Sequence, residues 1–512
     1  MRRFLMVLCL GLVPACFVHT SFAQDVASFE KRTTVKVLKN GLTVVLCERP
    51  EAPVFSFLTI VDAGAVQDPQ GQAGMAHMFE HEAFKGTDRI GTTNYAKEKI
   101  ALEKVERAWT AFDREDRKEL GRDAKKVAAL KAAFDKAVED ANQYVIKNRF
   151  GEIIDREGGV SMNAGTGMDS TQYFYSMPVN RFEVWAYLES SRFRSPVLRE
   201  FYKERDVVHE ERRLRTDSNP VGKLIEQFTA TAYAAHPYHR SAIGWSTEID
   251  HLTATEAAKF YRTYYVPSNA VIVLVGALKP QQVFPIVEKY FGTIPSAPKP
   301  EPLITPEPEQ VAERVVTMHD KSQPIYIEGY HRPSYKDPDD AVYDVISDLV
   351  TSGRTSRLYR TMVRDQKIAA FAGGFSGLPG TKYPGLFSFV GVPLPGHTSQ
   401  EMGKAIHEQI DRLKNEDVSD EELQMVKTRA KANLIRGLGS NQGLAFQLAT
   451  YQLRYGDWRE LFRNVEKIDK VSKADIRRVA NAAFVEKNRT VAMIENDTAK
   501  PASGDTQKKE GR

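Results

Sequence analysis

Residues 74–87 read GMAHMFEHEAFKGT and hold two histidines four positions apart, His77 and His81, with Glu80 between them. On a helix, positions four apart share one face, so two imidazoles can meet one cation while the carboxylate flanks them. That is a ligand pair with its own base, the minimum a metal-dependent hydrolase needs. With 11 histidines in 512 residues, the motif alone is only moderately specific, and the segments around it must decide.

Two later segments supply elements that could complete such a site. GGVSMNAGTGMDSTQYFYSMP, from Gly158, opens on a turn and continues as an alternating, aromatic strand. FYKERDVVHEERRLRTDSNP, from Phe201, reads as a helix with Glu204 and Glu211 seven apart and so on one face. His209, two positions from Glu211, falls on a different face.

The chain also repeats itself. LTATEAAKFYRTYYVPSNAVIVLVG from Leu252 and VSKADIRRVANAAFVEKNRTVAMIE from Val471 align without a gap, at 471 − 252 = 488 − 269 = 219. Thr253 with Glu256, and Ser472 with Asp475, give each copy a capping box, followed by an amphipathic helix, a turn and a β-branched strand. We expect two related domains, 24–300 and 314–496, joined by a stiff, Pro-rich linker at 301–313. Between about residues 97 and 149 there is no proline, and two heptad-like apolar runs flank Gly121, which predicts a helical hairpin inserted in the first domain.

Composition and the ends bound the setting. A formal charge of +4, or 4 − 2 = +2 without Arg2 and Arg3, gives no sign of nucleic acid as a partner. The first 23 residues read as a secretory signal cleaved after Ala23, which predicts a periplasmic or secreted protein. A second processing route would leave a lipid on Cys16, although Pro14 fits that box poorly. After cleavage Cys47 is the one cysteine left, so no internal disulfide forms. The tail 497–512 is polar and reads as disordered.

Taken in order, AHMFEHEAFKGT, GGVSMNAGTGMDSTQY, ERDVVHEER with DSNP behind it, HPYHRSAIGWSTEIDHLT and YYVPSNAVIVLVG resemble the insulinase-like, inverted-motif zinc peptidases, the family of pitrilysin and the mitochondrial processing peptidases. The resemblance covers most of the chain after the signal. It implies an α+β fold of two homologous domains, each an antiparallel sheet with helices packed on one face. It implies that His77, His81 and Glu211 ligate Zn2+, that Glu80 is the general base, and that Glu204 supports a ligand from behind. Two neutral imidazoles and one carboxylate leave zinc a fourth position for water, whose pKa the metal lowers to about 7. The strand matching Met162 to Gly165 would be a sheet edge on which a peptide lies as an added strand, flanked by Asn163 and Ala164. The gap from the histidine pair to the last ligand is 211 − 81 = 130 residues, against roughly 75 in such families, and the hairpin insertion accounts for the excess.

The chain departs from that pattern in its second domain. Relatives often supply an arginine and, about two helical turns on, a tyrosine that contact the substrate. Arg364 can stand for the arginine, but Ala370 and Phe371 occupy the tyrosine's place, and neither can donate a hydrogen bond. The expectation is a heterodimer whose second, related subunit supplies both groups, with a homodimer as the alternative. Glu82, where relatives tend to carry an apolar residue, would strengthen cation binding or face solvent. The reading is a zinc endopeptidase for unfolded peptides; the rival is a non-catalytic scaffold or binding subunit of the same fold.

Overall fold

Two β-sheets carry the chain in the computed structural model, which describes residues 26–496. The proposed signal, Cys16 and the C-terminal tail lie outside the described residues. The first sheet contains β1 (Thr33–Val37), β2 (Thr43–Glu48), β3 (Val54–Val61), β4 (Val160–Thr166), β5 (Thr171–Pro178) and β6 (Ala270–Gly276), in the order β1-β2-β6-β3-β5-β4. The second contains β7 (Arg314–His319), β8 (Ile325–Arg332), β9 (Ala369–Leu378), β10 (Gly385–Pro393) and β11 (Arg489–Glu495), in the order β7-β11-β8-β10-β9.

The sheets are antiparallel except for one pair each, β2 with β6 and β7 with β11. Geometry requires this: β6 enters between β2 and β3, which run in opposite directions, and must be parallel to one of them. The sequence repeat maps onto the same frame. A line of paired residues crosses the first sheet through Thr166, Thr171, Val61 and Ala270. The matching line in the second runs through Ser376, Phe387, Tyr330 and Arg489. The last members differ by 489 − 270 = 219, the offset of the repeat. Register therefore makes β4 and β9 counterparts, and Thr166 the counterpart of Ser376.

Each sheet buries one face under its own helices and the other under a helix from the opposite half. Strand β6, AVIVLVG, is buried throughout, as a continuous β-branched run should be. On one side Phe55, Phe57, Trp185 and Phe291 form a core, with Phe57 and Trp185 rings 5.3 Å apart. On the other, Leu444, Leu448 and Trp458 from the second half cover Val45, Leu58 and Val273. Reciprocally, Leu224 and Phe228 of helix Pro220–Ala232 pack against Ile327, Ala492 and Ile494 of the second sheet. The exchange removes apolar surface from water on both sheets and locks the halves together.

The inserted hairpin is present as helices Tyr95–Asp116 and Ala124–Asn142, with Gly121 at φ +70° in the connection. Trp109 and Phe134 sit 5.2 Å apart and both pack on Tyr202, whose helix leads to Glu204 and Glu211. Arg205 lies 4.1 Å from the Trp109 ring. The hairpin thus braces the helix that carries the two acids.

Candidate active site

Helix Met75–Glu82 presents His77, Glu80 and His81. Its opposite face buries Met75, Met78 and Phe79, the last stacked on Tyr261 at 5.2 Å. The N-terminus is held by carboxylates: Asp68 accepts from Gly74 N and Ala76 N at 2.7 and 2.8 Å, and Glu248 accepts from Ala73 N at 2.6 Å. Negative charge is favoured there by the free amides and the helix dipole. Gly74 is needed as glycine, because φ is +95° and a Cβ would come within 2.6 Å of the Ile243 carbonyl oxygen.

Helix Phe201–Arg212 faces it with the two acids. Buried Arg212 fixes this helix by donating to Glu226 at 2.8 and 3.1 Å. Glu211 then lies 3.6 Å from His77 Nε2 and 3.3 Å from His81 Nε2. Two bonds of about 2.05 Å at a tetrahedral zinc would leave ligand atoms about 3.3 Å apart, so the three groups fit that ion. Among the described residues they form a set whose ligand atoms lie within 4.8 Å of one another. Glu204 Oε1 accepts from His81 Nδ1 at 2.9 Å, which turns Nε2 toward Glu211.

The electrostatics follow from depth and partners. Burial, with the neighbouring His81, pulls His77 down to about 4, so its imidazole is neutral at pH 7. Burial also disfavours charge on His81, but the hydrogen bonds to Glu204 and Glu211 outweigh it and raise His81 to about 9. A metal cation would displace that proton. Burial pushes Glu80 up from the ordinary carboxylate value, and the Thr166 hydroxyl, donating to Glu80 Oε2 at 2.6 Å, opposes the shift.

These residues line a cleft of about 610 Å³ together with Asn163, Ala164 and Gly165 of β4. Among the described residues strand β4 is the last strand of its sheet, with no strand paired to its outer edge. Asn163 Oδ1 folds back on Ala164 N at 2.8 Å. Arg364 does not line this cleft: its guanidinium lies on the surface, paired with Asp365 at 2.6 Å. Ala370 and Phe371 are exposed on β9. Glu82 overturns the solvent-facing reading made for it: it is fully buried, its oxygens lack hydrogen-bond partners, and burial raises its pKa well above the ordinary carboxylate value. His209 pairs with Asp250 at 2.9 Å, away from the cleft.

Three contributors escaped the sequence reading. Thr166 bonds Glu80, Lys85 Nζ meets Glu204 Oε2 at 2.5 Å, and Arg215 meets Glu211 Oε1 at 2.7 Å. The signal for one of them was available: Arg215 lies four residues after Glu211, whereas Lys85 falls beyond the end of the helix that carries His81.

Two family models match the chain, insulinase (peptidase family M16) over residues 43–152 and the peptidase M16 inactive domain over 251–430. A zinc protease, PqqE, from Helicobacter pylori is 28% identical over 504 residues, spanning 96% of this chain and all of that protein. This chain belongs to the insulinase-like M16 family. Within that family, a probable mitochondrial-processing peptidase subunit beta from Arabidopsis thaliana is 23% identical over 90% of this chain and 78% of its own length. The crystal structure of a protease from Helicobacter pylori superposes with a TM-score of 0.75 at 27% identity, covering 91% of this chain and 99% of that one. A peptidase M16 inactive domain from Pseudomonas fluorescens shares the fold at a TM-score of 0.71 and 16% identity, over 90% and 97% of the two chains. The M16 models divide as the site does: the insulinase match contains His77, Glu80 and His81, and the inactive-domain match lies largely in the second half.

Proposed function

We propose that the chain is a zinc-dependent endopeptidase acting on unfolded peptides. The observation that carries this is the convergence of His77, His81 and Glu211 within ligand range, with Glu80 beside them at an open sheet edge. Zinc held there would polarise the scissile carbonyl and acidify the attacking water. Glu80 takes the water's proton on the oxygen that Thr166 leaves free, and returns it to the leaving amine. Burial raises the proton affinity of Glu80, which suits a base that must also serve as an acid. Glu204 holds the His81 proton on Nδ1 throughout.

A substrate strand adds to β4 along Asn163–Thr166, displacing the Asn163 side chain from the Ala164 amide. Backbone pairing selects extended, accessible chain over folded protein and reads little sequence. Arg364 is engaged by Asp365, and no tyrosine stands near it on β9, so the reading includes a related second subunit that supplies an arginine and a tyrosine; a homodimer is the alternative. The N-terminal segment supports export to the periplasm or beyond, and among the described residues no helix is long and apolar enough to cross a membrane. A non-catalytic scaffold would have no use for a base on the cleft, which disfavours that rival.

The test is hydrolysis of quenched peptides of about ten to thirty residues by the mature chain with zinc, beside Glu80→Gln. Cleavage that the mutation removes supports a self-sufficient enzyme and refutes the obligate heterodimer. One bound zinc without cleavage, unrelieved by any partner, refutes the peptidase.

A further inference from the structure

Behind His81 the polar contacts continue beyond Glu204. Glu204 uses both oxygens: Oε1 takes the His81 Nδ1 proton at 2.9 Å, and Oε2 takes the Lys85 ammonium at 2.5 Å. Lys85 is itself anchored. Its carbonyl oxygen accepts from Arg199 Nη1 at 2.6 Å, and the same guanidinium reaches the carbonyls of Thr87 and Ile90 at 2.8 and 2.9 Å. The remaining donors of Arg199 bind Glu98 at 2.7 and 3.2 Å. Arg199 and Glu98 are 1% and 0% exposed, and Glu98 sits in the first turn of the hairpin's first helix. The loop between fits only as built, since a Cβ on Gly86 would lie 2.3 Å from the Ile90 carbonyl oxygen and 2.9 Å from Arg199 Nη1.

A carboxylate with one partner can rotate about its last bond; with two partners on different oxygens it cannot. We propose that Lys85 is a positioning residue for His81, acting through Glu204, and that the Glu98–Arg199 pair sets Lys85 in place from the base of the helical hairpin. The proposal rests on the zinc reading of the site. It gives the hairpin a second task besides bracing the acid-bearing helix: it fixes the loop whose lysine stops Glu204 from turning. The other ionisable groups around that ammonium, Glu200 at 3.9 Å and buried Glu82, are acids, so Lys85 is the cation facing Glu204 from that side.

The experiment compares the full mature chain with Lys85→Met and Lys85→Arg, by zinc competition against a chromophoric chelator and by NMR of the metal-free protein. Lys85→Met should bind zinc about 10- to 100-fold more weakly, the range for loss of an outer partner of a ligand. Lys85→Arg should restore most of the affinity. The exchange-protected Nδ1 proton of His81 should be seen in the parent and in Lys85→Arg and be broadened in Lys85→Met. Zinc affinity in Lys85→Met within twofold of the parent, with that proton still protected, overturns the proposal. If the parent itself binds no zinc, the peptidase reading fails, and the NMR comparison still decides the role of Lys85.

Discussion

On the outermost strand of the first sheet Thr166 reaches Glu80, and on that of the second its register counterpart, Ser376, lines a cavity of about 350 Å³ with Asp344, Ser347 and Asp348. The spacings agree as well as the places: 77, 80, 81 in one half and 344, 347, 348 in the other, on the helix Met75–Glu82 that follows β3 and the helix Asp340–Thr351 that follows β8. Opposite them, Glu204 and Glu211 are seven apart, as are Val426 and Asn433 in the second cavity. Yet the second half has no imidazole there. Its polar groups are spent on one another: Asp348 pairs with Arg429 at 3.2 Å, Ser376 accepts from Arg332, and burial pushes Asp344 up to about 6. The same frame therefore gathers a candidate ligand set in one half and a polar cavity without imidazoles in the other, depending on a handful of side chains. In the first half Glu211 faces two imidazoles besides Arg215, whereas in the second Asp348 faces Arg429 with no imidazole beside it.

Breaking the ligand set should have the largest effect. His77→Ala, His81→Ala and Glu211→Gln are each expected to abolish stoichiometric zinc binding and peptide cleavage, while Asp348→Asn leaves both unchanged. Metal analysis of the purified variants checks this, and loss of zinc from Asp348→Asn would mean the halves do not differ as described. Next comes the base: Glu80→Gln should lower kcat by about 10²–10⁴ with zinc retained, and Ser347→Ala should be silent. Single-turnover hydrolysis at saturating peptide measures it.

How much of this was legible in the chain itself is shown by which features are local. The HMFEH spacing, the acids seven apart and the 219-residue offset are periodic signals that a helix or strand turns directly into geometry. The hairpin was legible for the same reason. What escaped depends on contacts between distant segments: the exchange of helices Pro220–Ala232 and Asn441–Tyr455 across the halves, the burial of Glu82, and the cavity around Asp344. Glu82 is instructive, because a charged letter beside a candidate ligand invites an electrostatic role, and only packing shows that burial works against its charge. Arg364 failed as a cleft residue because the turn from Tyr359 to Asp365 gives it a partner one residue away.

A smaller effect distinguishes the two edge strands. Removing the Thr166 hydroxyl takes away a hydrogen bond to a charged group, worth about 1.5–3 kcal/mol, so Thr166→Ala should cut kcat/KM by about tenfold to a hundredfold. The pH at which the base titrates should rise, since that bond holds the Glu80 pKa down against burial. Ser376→Ala should change neither, and a pH–rate profile of the three proteins makes the comparison.

The smallest expected effect concerns stability alone, and it tests how the second cavity handles charge. Asp344 titrates near 6 in the folded chain, above its ordinary 3.8, because burial and then the charge of Asp340 oppose its ionisation. A folded pKa raised above the unfolded one means that the carboxyl favours the folded state while protonated; that contribution is fully present below about pH 4 and is lost as pH rises through about 6. An asparagine side chain at this position would be neutral at every pH and can keep the contact with Asn464. Asp344→Asn is therefore expected to match the parent at pH 4 and to gain on the order of 1–3 kcal/mol above pH 7, seen as a rise in melting temperature. Melting curves across that range decide it. A variant less stable than the parent at pH 8 would show that the ionised carboxylate is held by the arginines around it, and the second half would then be a satisfied ion-pair network rather than a cavity that suppresses charge.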